Sequence, residues 1–307
     1  MQDANLNKII TNKAKELGFN FVGFTSPDNN QNNKLEKWLN LKYHASMKWM
    51  ETSKDKREDI FKYFPEVKTI ISFAYNYYTD QNKIDEDKYK ISNYAWGNDY
   101  HIVLKEKLYQ IIDLISSYND KFEYRVCVDT SPVMEKYWAQ KSGIGWIGKH
   151  TNLINNKIGS WFFLSEILLN FKLEYDKPFV EDLCGTCTKC IDECPTDAIV
   201  DEYVLDSNKC ISYLTIEHRD KLPENYVDNL DNWIYGCDIC QQVCPWNEKF
   251  SIVSSDYNFI VRDKIKNKDK KDWENLTIED YQDTFKKSAI KRTKFRGLKR
   301  NISANKK

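Results

Sequence analysis

The chain has 307 residues, 41% of them hydrophobic and 14% aromatic, enough for two domains with a real core, which excludes disorder throughout. Lysine and arginine together number 46, as do aspartate and glutamate, so any affinity for nucleic acid must come from a local patch rather than from global charge. No run of about 18 apolar residues occurs, so no membrane span is expected.

The first residues lack both a long apolar run and a small-residue cleavage site, so no targeting segment is expected there. Leu6, Ile9, Ile10 and Leu17 recur at helical spacing and predict an amphipathic helix. Residues 19–26 (FNFVGFTS) and 67–78 (VKTIISFAYNYY) read as strands. Residues 101–118 place apolar side chains at i, i+3, i+4 and i+7, a helical pattern. A short strand follows over 122–129 (FEYRVCVD), ending at Asp129. Helical character returns over 131–142, with Pro132 in the opening turn. GSWFFLSEILLN, from Gly159, reads as a buried strand. Beyond Phe250 the chain turns polar and charged, and residues 284–307 hold ten lysines or arginines and no acid. The remainder therefore carries about ten net negative charges, and the chain is strongly charge-segregated.

The cysteines carry the clearest chemistry. Cys184, Cys187, Cys190 and Cys194, followed by Pro195, have the bacterial ferredoxin spacing, in which three thiolates hold one cubane and the fourth serves a second. Cys237, Cys240 and Cys244, followed by Pro245, repeat that run one cysteine short, and Cys210 is the replacement. The crossed arrangement assigns Cys184, Cys187, Cys190 and Cys244 to one 4Fe-4S cluster. It assigns Cys194, Cys210, Cys237 and Cys240 to the other. Zinc is the competing reading, but zinc sites take four ligands in well-separated pairs, unlike a four-cysteine run ending in Cys-Pro. Nine cysteines without a secretory signal point to metal ligation in the cytoplasm rather than to disulfides. The ninth, Cys127, reads as core packing on a strand.

Two other motifs mislead. Gly143, Gly145 and Gly148 spell GxGxxG, but the preceding residues look helical, whereas a dinucleotide fingerprint must follow a strand. Lys149 completes GxxxxGK, but His150 stands where a phosphate loop needs a hydroxyl for magnesium. Asp99-Tyr100-His101 begins a cobalt-ligating histidine motif without its glycine, so Asp99 is better read as a helix cap.

With these residues in view, the chain resembles the epoxyqueuosine reductase family. The likeness covers roughly residues 19–247 and rests on YAWGNDYH at Tyr94, VDTSPVMEKYWAQKSGIGWIGKHTNLI at Val128 and GSWFFLSEILL at Gly159. It continues through CGTCTKCIDECPTDAI, CISYLTIE and YGCDICQQVCPWN. The resemblance implies an α+β protein in three parts. Residues 1–175 would form an α/β cobalamin-binding domain, 176–250 a ferredoxin-like domain with two 4Fe-4S clusters, and 251–307 a short, helical, basic tail against tRNA. It implies reduction of the epoxide of epoxyqueuosine in tRNA to queuosine, with electrons passing from a flavodoxin- or ferredoxin-type donor through the clusters to cobalamin. Asp129 would be the proton donor, and Arg57, Asp129, Ser165, Ser212 and Asp238 would lie beside the corrin. Trp96, Tyr100 and Trp146 read as core aromatics that could line its edge. A cytoplasmic monomer is expected. A corrinoid reductive dehalogenase-like reductase and a non-enzymatic ferredoxin-type electron carrier are the alternatives.

Overall fold

A computed structural model describes residues 2–28, 33–79 and 88–306; Lys307 of the basic stretch lies outside the described residues. The N-terminal half is built on a four-stranded sheet of β1 (Phe21–Thr25), β2 (Thr69–Asn76), β3 (Tyr124–Cys127) and β4 (Phe162–Leu169). Its order is β1-β2-β4-β3, antiparallel throughout. Every residue of β2 and all but one of β4 are buried, because these central strands are covered on both faces.

Helices α1 (Gln2–Glu16) and α2 (Tyr100–Ser116) cover one face, packing Ile10, Leu104, Leu108 and Ile111 against Phe73, Phe163 and Ile167. Each fully buried side chain of this size stabilises the fold by roughly 1.5–3 kcal/mol. Helix α3 (Glu135–Lys141) covers the other face, setting Trp138 against Ile70, Cys127 and Leu168. Cys127 is thus a core residue. Helix α3 begins later than Pro132 suggests, because Asp129 takes a left-handed φ of 56° and the next residues fold into tight turns.

The GxGxxG segment does follow a helix, α3, and it opens a small hairpin of Trp146–Ile147 with Leu153–Ile154. A Cβ on Gly145 would drive into the Ile154 carbonyl, so this glycine serves close backbone approach. Gly145→Ala is expected to cost about 1–3 kcal/mol, read as a thermal midpoint several degrees lower.

In the cysteine-rich region, the short helices Lys189–Asp192 and Ile239–Gln242 pack against each other, and each runs into a Cys-Pro step. Pro245 opens a further helix, Pro245–Phe250, where its missing N–H costs nothing. Helix α4 (Ile211–Ile216) starts at Cys210.

The boundaries expected at 175 and 250 do not separate independent cores. Trp233–Tyr235 pairs in parallel with Lys90–Ile91. Tyr89 and Trp96 share one cluster with Tyr235, Trp273, Phe285, Leu298 and Ile302. The basic stretch is therefore built into the body through helix α5 (Lys294–Ala304). Arg300 donates to the carbonyls of Leu214, His218 and Asp220, and Lys299 to that of Glu274, so part of the positive charge is structural. Lys286, Lys287, Lys291, Arg292, Lys294 and Arg296 remain exposed.

Candidate redox and substrate site

Cys184, Cys187, Cys190 and Cys244 surround a cavity of about 340 Å³ with Lys149, His150, Trp246 and Phe250. The Trp146 indole N–H donates to Cys184 Sγ at 3.4 Å. Burial, and then the neighbouring Cys244, Cys184 and Cys187, push the Cys190 thiol up to about 11. Burial, then Cys240 and Cys210, raise Cys237. Burial, then Cys210 and Cys194, raise Cys240. Cys190, Cys237 and Cys240 are thus buried thiols whose ionisation neighbouring cysteines oppose, Cys190 adding to the effect on Cys240. A cationic centre that takes up their charge removes that cost. Among the described residues no three His, Cys, Asp or Glu side chains converge tightly enough to hold a single ion. The first four thiols instead enclose a volume, as a polynuclear cluster needs.

The second cavity, about 990 Å³, is far larger, and Cys210 is in its wall. Ser212 and Tyr213 of α4, Lys56 and Arg57 of the helix Lys54–Glu58, and Lys291 and Arg292 also line it. From the sheet side come Tyr100 and His101 at the start of α2, Asp129 and Thr130 after β3, and Glu135 of α3. Arg292 forks onto both Glu217 oxygens at 2.8 and 2.9 Å and lies 5.2 Å over the Trp49 ring.

Asp99 caps α2, accepting from the His101 backbone N–H at 3.1 Å. Its carboxylate also lies 2.7 Å from His101 Nδ1, while His101 Nε2 lies 3.1 Å from Asp129 Oδ2. Burial opposes charge on His101, but the hydrogen bonds to Asp129 and Asp99 outweigh it and hold its pKa at about 9. Burial likewise pushes Asp129 up, but the His101 bond and the charges of His101, Arg292 and Arg57 win, holding this carboxyl below its usual range. Asp129 faces the open cavity with 63% of its side chain accessible, yet protein surrounds it on the other sides. At neutral pH the pair is therefore imidazolium and carboxylate, and the proton resides on His101. Since both ring nitrogens are engaged, His101 offers no free lone pair to cobalt.

Of the residues expected beside the corrin, Arg57, Asp129 and Ser212 line this cavity and two do not. Ser165 is fully buried in β4 opposite Phe73, on the face packed against α1 and α2. Asp238 is buried elsewhere, accepting from Ser92 Oγ at 2.5 Å and the Asn93 N–H at 2.7 Å. It anchors residues 92–93. Tyr100 lines the cavity, whereas Trp96 is buried with its indole on the Ile91 carbonyl, and Trp146 stands by the first cysteine group. Glu135, the partnership of His101 with Asp129 and the Arg292–Glu217 pair are not visible in the sequence. Glu135 alone left a local signal, six residues after Asp129 in the same motif.

By fold and site this is a two-cluster redox protein with a large cavity that Cys210 of the cysteine-rich region lines. Residues 183–247 match the 4Fe-4S double cluster binding domain, and the chain carries two such clusters. Residues 57–130 match the family described as Epoxyqueuosine reductase QueG, DUF1730. An epoxyqueuosine reductase of Leadbetterella byssophila is 46% identical over 299 residues, 97% of each chain. That of Synechocystis is 43% identical over 274 residues, 89% of this chain and 94% of that one. The chain belongs to the epoxyqueuosine reductase family.

Among solved structures, an epoxyqueuosine reductase with an epoxyqueuosine-modified tRNA-Tyr stem loop superposes with a TM-score of 0.89 at 28% identity, covering 98% of this chain and 81% of that one. A Bacillus subtilis epoxyqueuosine reductase whose aspartate-bearing catalytic loop is swung out of the active site gives 0.90 at 26% identity, with the same coverage.

Proposed function

We propose that this protein reduces the epoxide of epoxyqueuosine in tRNA to the alkene of queuosine. The observation that carries the reading is that Cys210, a thiol of one cluster group, and Asp129, on its imidazolium, line a single cavity. Electrons and a proton thus have separate routes to one place. Cys184, Cys187, Cys190 and Cys244 would hold the first cluster, and Cys194, Cys210, Cys237 and Cys240 the second. An external carrier of the flavodoxin or ferredoxin type would reduce them.

The cavity residues fit cobalamin. Met47, Trp49, Met50 and Ile216 give the cavity wall apolar surface for a broad ring, while Lys56 and Arg57 offer donors to its amides and phosphate. When bound, cobalamin supplies a cobalt centre that accepts electrons singly and reacts at carbon. The protein supplies the proton. As the C–O bond breaks, His101 Nε2 gives its proton to the Asp129 carboxylate, which passes it to the developing alkoxide.

The test is anaerobic purification with added cobalamin, then mass analysis of nucleosides from epoxyqueuosine-containing tRNA. A product lighter by one oxygen is expected. No conversion by protein verified to hold both clusters and cobalamin would overturn the reading.

The exposed cations of residues 286–296 bind the tRNA phosphates, with Lys291 and Arg292 in the cavity wall. Replacing Lys286, Lys287 and Lys291 together by glutamine should weaken tRNA binding. The slope of log affinity against log salt should flatten by about 0.7–0.9 for each phosphate no longer neutralised, as read by filter binding across salt concentrations.

A further inference from the structure

A second acidic system stands behind the cavity. Glu166 is fully buried in the middle of β4, opposite Ser72 of β2 and Cys127 of β3. Neither of its carboxyl oxygens has a hydrogen-bond partner among the described residues, nor do Ser72 Oγ, Trp138 Nε1 or Glu135 Oε1. These groups lie between the sheet and α3, and Glu135, in the first turn of α3, brings them to the cavity wall. Unpaired polar atoms are costly in a packed interior, and a buried carboxylate with no partner is costlier than a buried carboxylic acid. A fold that keeps two acids here therefore keeps them protonated.

We propose that Glu135 delivers the second proton of the deoxygenation and that Glu166, buried on the sheet face that α3 covers, refills Glu135. The proposal rests on the epoxide-reducing function proposed above. Converting an epoxide to an alkene breaks both C–O bonds and consumes two electrons and two protons, releasing the oxygen as water. The electrons arrive through the clusters and end in the new C=C bond. The first O–H bond forms as the ring opens, with the proton from the Asp129–His101 pair. The second forms as the hydroxyl departs. Asp129 cannot serve both steps until it is refilled, whereas Glu135 faces the same cavity with a proton of its own.

The electrostatics agree. Burial pushes Glu135 up, with the Asp129 charge adding to it against Arg57 and Lys136. Burial pushes Glu166 up, with Glu135 adding to it. Tyr100 of α2 and Cys127 of β3 also feel the Glu135 charge, and both are themselves neutral at physiological pH.

Two measurements test this. In the protein without substrate, infrared spectra should show the C=O stretch of buried carboxylic acid at neutral pH, weakened in both Glu135→Gln and Glu166→Gln. Its absence from the wild type would overturn the proposal whatever the enzyme's substrate proves to be. In the cobalamin-loaded enzyme, Glu135→Gln should slow single-turnover deoxygenation by about 10²-fold, with Glu135→Asp recovering part of the rate. Glu166→Gln should keep the first turnover and slow later ones, a split that mere loss of packing would not produce. A wild-type single-turnover rate in Glu135→Gln would overturn the proposal, and this arm stands even if Glu166→Gln does not fold.

Discussion

Asp129→Asn is expected to cut turnover by about 10²–10⁴-fold, the usual contribution of a positioned acid, with iron content and cobalamin binding unchanged. The amide matches the carboxylate in shape but can neither take the proton from His101 nor pass it on. It should also disturb the histidine in a way that needs no substrate to see. The Asp129 hydrogen bond is the largest influence raising the His101 pKa, with Asp99 next. Without it, burial gains ground and the His101 titration should move down from about 9, as NMR of the ring protons would report. The sign for the wild type follows. His101 is protonated below about 9, so the step it feeds should be insensitive to pH near neutrality and slow as pH rises through that value. His101→Gln should remove this alkaline dependence. Near-normal turnover by Asp129→Asn with both clusters confirmed would remove the aspartate from the mechanism.

Sequence alone made the cluster region legible because cubane ligation imposes short, fixed spacings on consecutive residues. The same holds for the central strands, whose long apolar runs follow from burial on both faces. Cavity-lining residues were less legible because their placement depends on side-chain direction. Ser165 and Glu166 are neighbours on β4, but a strand sends successive side chains to opposite faces. One therefore lies among aromatic core residues and the other behind α3, and neither reaches the cavity. Asp238 follows a cluster cysteine in sequence, yet its hydrogen bonds tie down residues some 145 positions away. The basic stretch looked detachable because its charges dominate its composition. The buried Phe285, Ile290, Leu298 and Ile302 interspersed among those charges make it part of the fold. His101 stood in plain view beside Asp99, but its partnership with Asp129, 28 residues on, exists only once α2 and β3 are packed together.

The two cysteine groups should respond differently to loss of one thiol. Cys210 is the only cysteine in the wall of the large cavity among the described residues, so the cluster proposed to include it would stand next to the proposed substrate cavity. The other group surrounds the smaller cavity with Lys249 and Phe250, apart from the large one, which makes its cluster the candidate for receiving electrons from a carrier. Cys210→Ser should lose one cluster, keep the electron paramagnetic resonance signal of the other, and fall to background turnover with any reductant, because the last electron step is broken. Cys187→Ser should fall equally far with a protein carrier. It should recover with a small low-potential reductant, which can bypass the outer cluster and reduce the inner one directly. Recovery by Cys210→Ser but not by Cys187→Ser would reverse the order of the clusters. Because Cys187 lines the smaller cavity and Cys210 the large one, this pair of variants reads the direction of electron flow from the position of two sulfur atoms.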